Sequence, residues 1–95
     1  MSTKQNYNPK LIKIGELLTN KRKALGDDYK SRDNFISQRS VEVFNGEDWI
    51  SLRHLLNIET GRNWISIEKL ILLSAALEED PVDLFAEILE TYKNA

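Results

Sequence analysis

The sequence contains no cysteine and only one histidine. Without cysteine, the chain forms no disulfide, has no thiolate nucleophile and builds no cysteine-based zinc site, and its composition fits a reducing compartment. We therefore expect a cytoplasmic protein that binds no metal and needs no cofactor. Because a glycine-rich phosphate loop and a nucleophile–base pair are also missing, we expect no enzymatic activity.

Long apolar segments are absent as well. No stretch approaches the roughly 20 apolar residues that a membrane-spanning helix needs, so we expect no membrane partner. The polar N-terminus has no apolar signal-peptide core. We expect residues 1–9 to form a flexible tail and residues 10–95 to form one domain, which is small enough to gain stability from dimerisation.

The charged residues are unevenly distributed. Residues 1–40 contain nine Lys and Arg against four acids, and residues 41–95 contain four against eleven, so the halves carry +5 and −7 and sum to the net charge of −2. One interpretation is a basic surface that contacts phosphates while the acidic end points away. The other is an ordinary solvated surface with uneven charge.

Hydrophobic spacing predicts two helices in the first half of the chain. Apolar residues recur with helical period from Leu11 to Leu25, Asn8-Pro9 suits a turn or a helix start, and Gly26 ends the pattern. After a polar loop over residues 27–34, Ser31 or Asp33 is expected to cap a second helix that ends at Asn45-Gly46. Alternating apolar residues also allow a strand over residues 40–44, with Asn-Gly as a hairpin turn.

Three further helices are predicted in the second half. Ser51 is a suitable N-cap for a helix that stops at Gly61, and Ser66 opens the next. Asp80 and Pro81 fit the N-cap and first position of a last helix. The prediction is therefore an all-α domain of five helices.

The segment from Ile50 to Leu70 resembles the Cro/lambda-repressor-like helix-turn-helix family. The matching residues are Ile50, Ser51, Leu55, Ile58, Glu59, Gly61, Ser66, Ile67, Glu68 and Leu70. Upstream, Ile14-Gly15-Glu16 and Arg22 resemble the first helix of the family, so the resemblance covers residues 14–86 with a gap. The chain departs from the family in a longer stretch between Gly26 and Ser51, which extends the region around helix two.

The resemblance implies that the third helix lies in the major groove of double-stranded DNA. Base contacts would then come from the outward residues Arg53, Asn57, Leu52 and His54, although Leu52 also fits a core role. Phosphate contacts would come from Ser51, Arg62, Asn63, Gln38, Lys30 and Arg32. The family also implies a structural salt bridge between Arg22 and Glu59, which reads no bases.

Two apolar side chains, Leu56 and Trp64, do not fit a minimal family domain. We expect Trp49 or Tyr29 to cover Leu56, with a protein-binding patch as the alternative, and Trp64 to pack onto the core. In the last helix, Leu84 and Phe85 are expected to pack against the rest of the same chain. The remaining apolar residues of this helix are assigned to a homodimer interface: Ile88, Leu89 and Tyr92.

Two functions follow from these expectations. The first is a sequence-specific transcriptional regulator, such as a repressor or controller, which binds a palindromic DNA operator as a dimer. The second is an antitoxin-like or adaptor module that binds a protein partner on the same fold. The net acidity and Leu56 favour the second, and the two functions can coexist.

Overall fold

The structure, a computed structural model, describes residues 8–95, and the predicted tail over residues 1–7 lies outside that range. Five α-helices follow one another in the described part of the chain: α1 (Pro9–Lys23), α2 (Arg32–Val43), α3 (Leu52–Glu59), α4 (Ile67–Ala76) and α5 (Pro81–Asn94). A short 3₁₀ helix, Asp27–Tyr29, lies between α1 and α2. The all-α prediction is confirmed.

Local capping explains where the helices begin. Before each helix, one side chain accepts a hydrogen bond from a backbone amide in the first turn of that helix. These side chains are Asn8, Ser31, Ser51, Ser66 and Asp80. These bonds satisfy amides that have no partner within the helix. Because Asn8 caps α1 and Pro9 is its first residue, residues 8 and 9 belong to the domain and not to the predicted tail.

The end of α2 settles the choice between helix and strand. Residues 40–43 are helical, and the amides of Phe44 and Gly46 both donate to the carbonyl of Ser40, at 3.1 and 2.8 Å. Asn45 and Gly46 have positive φ angles of 58° and 81°, which close the helix instead of turning a hairpin. The alternative strand is therefore wrong.

The core is shared by all five helices and by the link between α2 and α3. Its buried apolar residues are Leu11, Ile14, Leu18, Phe35, Trp49, Ile50, Leu55, Ile58, Leu70, Leu73, Ala76, Leu77, Leu84 and Ile88. Helix α1 packs against both α3 and α5, and α4 packs against α2 and α5. Helix α3 is thus held from one side, by α1 and α2.

Three residues of the α2–α3 link, residues 44–51, pack in this core: Phe44, Trp49 and Ile50. The indole of Trp49 stacks on Phe44 with centroids 4.8 Å apart and meets Phe35 edge-on at 5.7 Å. Its Nε1 donates to the carbonyl of Ile36 at 3.1 Å, and Lys69 Nζ donates to the carbonyl of Trp49 at 2.8 Å. The link is therefore an ordered part of the fold that ties α2 to α4.

Candidate nucleic-acid interface

Both ends of α3 are fixed by short hydrogen bonds. The hydroxyl of Ser51 accepts from the amide of His54 at 3.0 Å, which caps the first turn. At the other end Gly61 has a φ of 82°, and the amides of Arg62 and Asn63 donate to the carbonyl of Asn57 at 2.8 and 3.3 Å. The eight residues between these caps form a defined helix despite their small number.

The inner side of α3 carries a buried ion pair with α1. Arg22 Nε and Nη2 donate to the two carboxylate oxygens of Glu59 at 2.8 and 2.9 Å, and these side chains are only 2% and 1% exposed. Arg22 Nη1 also donates to the carbonyls of Tyr29 and Lys30. The Arg22–Glu59 salt bridge predicted from the sequence is present, and its two parallel bonds fix both position and orientation.

A second cation joins this pair. Arg32, the first residue of α2, donates from Nε to Glu59 Oε1 at 2.7 Å. One carboxylate therefore connects α1, α2 and α3. The sequence assigned Arg32 to a phosphate contact, which stays a prediction; the structure shows that its guanidinium is paired with Glu59 and that the side chain is 30% exposed.

Two glycines allow the backbone of α3 to approach α1 closely. A Cβ built on Gly15 would lie 2.9 Å from the carbonyl oxygen of Ile58 and 2.7 Å from the carbonyl carbon of Glu59. A Cβ built on Gly61 would lie 2.7 Å from the backbone of Ile12. Sequence reasoning missed this contact, although a glycine inside a helical pattern such as Gly15 is a signal for close packing.

The outer side of α3 contains the residues predicted to contact bases. Leu52 and Arg53 are exposed, and His54 and Asn57 are half-buried. Leu56 lies one turn after Leu52 and is 39% exposed. The expectation that Trp49 or Tyr29 covers Leu56 is wrong, because Trp49 packs inward and Tyr29 contacts Phe35 and hydrogen-bonds Glu42.

The remaining predicted phosphate contacts lie around this helix or before it. Ser51, Arg62, Asn63, Gln38 and Lys30 are all exposed. Lys30 is paired with Asp27 at 2.9 Å on the surface, a contact that is weak in water. Of the six predicted phosphate contacts, only Arg32 is turned into the protein.

Four cations of the basic first half of the chain are paired with acids of the second half. Lys21 contacts Glu79 and Glu87, each at 2.7 Å, and Arg39 contacts Glu78 at the same distance. Together with Arg22 and Arg32, which bind Glu59, these contacts remove four cations from any separate basic surface. The uneven charge thus serves to hold the helices together at these positions.

The structure corrects several assignments in the last helix and before α4. Ile88, predicted to lie in a dimer interface, is buried in the core, whereas Leu89 is exposed and Tyr92 is half-buried. Phe85, predicted to pack inside the fold, is 46% exposed. Trp64, expected on the core, is 55% exposed and contacts the ring of Tyr92 at a centroid distance of 5.4 Å. These differences arise because the side of α5 that carries Ile88 faces the core, and because Trp64 in the α3–α4 loop lies at the surface.

Residues 8–95 contain no group of three or more His, Asp or Glu side chains placed to hold a metal ion. Within the same range, no helix combines the length and the apolar character required to span a bilayer.

Comparison with known proteins found no matching family model, curated protein or solved structure.

Proposed function

We propose that this protein is a sequence-specific double-stranded DNA-binding regulator that reads bases with the outer side of α3. The observation that supports the proposal is the contrast between the two sides of this helix. Its inner side is fixed by a buried carboxylate that binds two arginines, and its outer side offers a guanidinium, an amide, an imidazole and an aliphatic group. A rigid helix with mixed outward groups is what base-edge recognition in the major groove needs.

The proposed roles follow from the chemistry of each side chain. The fork of Arg53 matches the O6 and N7 acceptors of guanine, and the amide of Asn57 matches N6 and N7 of adenine. Leu52 provides contact for a thymine methyl group, and His54 donates to a base or a phosphate. Ser51, Arg62 and Asn63 lie at the two ends of α3, where side chains and backbone amides reach the phosphates.

In-vitro selection from a random pool of duplexes, using the unmodified protein, tests this proposal. We expect enrichment of a defined site, and we expect binding to weaken steeply as salt increases. On the selected site, Arg53→Ala should weaken binding by about 1–3 kcal/mol and relax the preference at one base pair. Lys13→Ala is the control, because Lys13 is an exposed cation of α1 that lies beside Glu90 and Asn94 of α5.

A pool that yields no enriched sequence would remove the proposal. Loss of binding without any change in base preference for Arg53→Ala would instead assign Arg53 to phosphate contact. The first result is read from the selection itself, and the second from titrations of the selected duplex beside duplexes with single base-pair changes.

A second function, binding of a protein partner through α3, is favoured by Leu52 and Leu56. These two leucines are four residues apart, and both are exposed on the same outer side. Leu56→Lys separates the two functions, since a cation added there should leave DNA binding intact or strengthen it, but should abolish an apolar protein contact. A stable stoichiometric protein complex that Leu56→Lys disrupts, formed by a chain that selects no DNA, would establish the second function.

A further inference from the structure

The residues that close α2 include the only asparagine of the chain that is followed by glycine. Asn45 precedes Gly46, whereas every other asparagine precedes a residue that has a side chain. Asparagine is chemically labile because the backbone nitrogen of the next residue can attack its side-chain amide. Glycine hinders this attack least, since it has no Cβ. Both residues of the pair are exposed, so water reaches them.

The reaction available to this pair is a deamidation in two steps. The nitrogen of Gly46 gives up its proton and attacks the side-chain carbonyl carbon of Asn45. The side-chain nitrogen leaves with that proton as ammonia, and a cyclic imide remains. Water then opens the imide at either carbonyl. Attack on the side-chain carbonyl gives aspartate, and attack on the main-chain carbonyl gives isoaspartate, in which the backbone runs through the former side chain and is one carbon longer.

The folded chain holds the attacking nitrogen in a hydrogen bond. In residues 40–47, which we call the closing turn of α2, the amide of Gly46 donates to the carbonyl of Ser40 at 2.8 Å. Loss of the amide proton would break this bond and set a negative nitrogen against a carbonyl oxygen, so the closed turn opposes the first step. The hydroxyl of Ser40 also donates to the carbonyl of Glu47 at 2.7 Å, which holds the far side of the turn. Within residues 8–95 the side chain of Asn45 has no hydrogen-bond partner, so only the backbone of the turn restrains the pair.

The two products differ in whether the turn can close again. Asn45 has a φ of 58°, in the left-handed region that asparagine and aspartate adopt more readily than other residues with side chains. The aspartate product therefore keeps the backbone and the bond from Gly46 to Ser40. The isoaspartate product inserts an extra carbon before Gly46 and displaces its amide from that carbonyl. Because Phe44 stacks on Trp49 with centroids 4.8 Å apart, the displacement also reaches the link that ties α2 to α4.

We infer that Asn45 is a modification site: opening of the closing turn controls its deamidation, and the isoaspartate that forms prevents the turn from closing again. A helix end opens at a much lower free energy than the whole domain, so the folded chain reaches the reactive state without global unfolding. Each event is irreversible and permanently loosens residues 44–51, which lie directly before α3. The modification is a property of the chain itself and does not depend on DNA binding.

Incubation of the full chain in mildly alkaline buffer, followed by peptide mapping with mass spectrometry and chromatographic separation of the two products, tests this inference. We expect Asn45 to be converted before any other asparagine, mainly to isoaspartate. Conversion should be at least about tenfold slower in the folded chain than in the chain unfolded by guanidinium chloride. Ser40→Ala removes the hydroxyl that holds Glu47 and should speed conversion in the folded chain severalfold. The matched control is Ser37→Ala, because Ser37 lies on the exposed side of the same helix.

A second measurement compares the stability of the two products. Asn45→Asp places the aspartate product in the chain with an unchanged backbone, and it should unfold at nearly the same urea concentration as the unmodified protein. The purified isoaspartate form should unfold at a lower concentration. Equal conversion rates in the folded and unfolded chains, or in Ser40→Ala and Ser37→Ala, would overturn the control by the turn. Earlier conversion of another asparagine, or an isoaspartate form as stable as Asn45→Asp, would also overturn the inference.

Discussion

The contact between α1 and α3 and the exposed sides of α4 and α5 differ in the kind of side chain that they present. At the α1–α3 contact, a buried carboxylate binds two arginines and a glycine replaces any side chain, so geometry is fixed by charge and by close backbone approach. On α4 and α5 and just before α4, six large apolar side chains remain exposed to water: Trp64, Ile67, Ile71, Val82, Phe85 and Leu89. The comparison indicates that directional interactions, the ion pairs at Glu59 and the close backbone approach at Gly15, orient α3. The exposed apolar side chains of α4 and α5 make no such directional contact.

The largest effect on stability is expected when the buried salt bridges of Glu59 are removed. Glu59→Gln removes the charge that neutralises Arg22 and Arg32 and leaves the buried Arg22 guanidinium without a counterion. We expect the free energy of unfolding in urea to fall by about 3–5 kcal/mol. Glu16→Gln is the control, because Glu16 forms only an exposed pair with Lys13 at 3.5 Å, and it should change stability by less than about 0.5 kcal/mol. Equal effects of the two variants would contradict the structural role of Glu59.

The two tryptophans sharpen the comparison between core and surface. Trp49→Ala removes a buried indole that stacks on Phe44 and donates to the carbonyl of Ile36, so we expect a loss of about 3–5 kcal/mol in unfolding free energy. Trp64→Ala removes a half-exposed ring that contacts Tyr92, and its loss should stay below about 1.5 kcal/mol. Chemical denaturation of both variants measures the difference. A larger loss for Trp64→Ala would show that Trp64 packs on the core after all.

An intermediate effect is expected from Gly15→Ala. In an ordinary helix interior this substitution stabilises by about 0.5–1 kcal/mol. Here the added methyl group would overlap the backbone of Ile58 and Glu59, so we expect destabilisation of about 1–3 kcal/mol. Ser37→Ala on the exposed side of α2 is the control. Because the two expectations differ in sign, a stabilised Gly15→Ala variant would contradict the close approach of α1 and α3.

Helix boundaries were predictable from the sequence because their signals are local. Ser51 and Ser66 cap the helices that follow them through bonds within the first turn, and Asp80 with Pro81 does the same for α5. The Arg22–Glu59 pair was predictable only through the family resemblance, since a charged pair far apart in sequence leaves no local pattern. Residue type and short-range spacing therefore predicted the fold class, whereas the one long-range contact came from the family resemblance alone.

The sequence did not predict the rotation of helices or the partners of charged side chains. Ile88 and Leu89 are neighbours of similar character, and only the packing of α5 against α1 and α4 decides that Ile88 is buried and Leu89 is not. Arg32 has the character of a phosphate contact, and it binds Glu59 because α2 begins beside the end of α3. Both outcomes depend on tertiary distances that a single sequence does not contain.

The smallest expected effect is a decline of stability at alkaline pH. Burial opposes protonation of the Lys21 amine, but hydrogen bonds to Glu79 and Glu87 outweigh burial and raise its pKa. The hydrogen bond that the Tyr29 hydroxyl donates to Glu42 likewise raises the pKa of that phenol. Groups with a raised pKa in the folded state stabilise it fully below their unfolded pKa, about 10 for both, and lose that contribution as pH rises through the folded values.

Unfolding in urea at about pH 9 and about pH 11 measures this decline, since the two conditions bracket the unfolded pKa values. The double variant Lys21→Met/Tyr29→Phe should be less stable than the unmodified protein at the lower pH and should lose less stability on going to the higher pH. Lys13→Met is the control, because Lys13 is exposed and forms only a surface pair with Glu16. If the double variant keeps the full alkaline decline, the contacts of Lys21 with Glu79 and Glu87 and of Tyr29 with Glu42 contribute nothing to stability. The stabilising ionic contacts of the fold would then be those of Glu59.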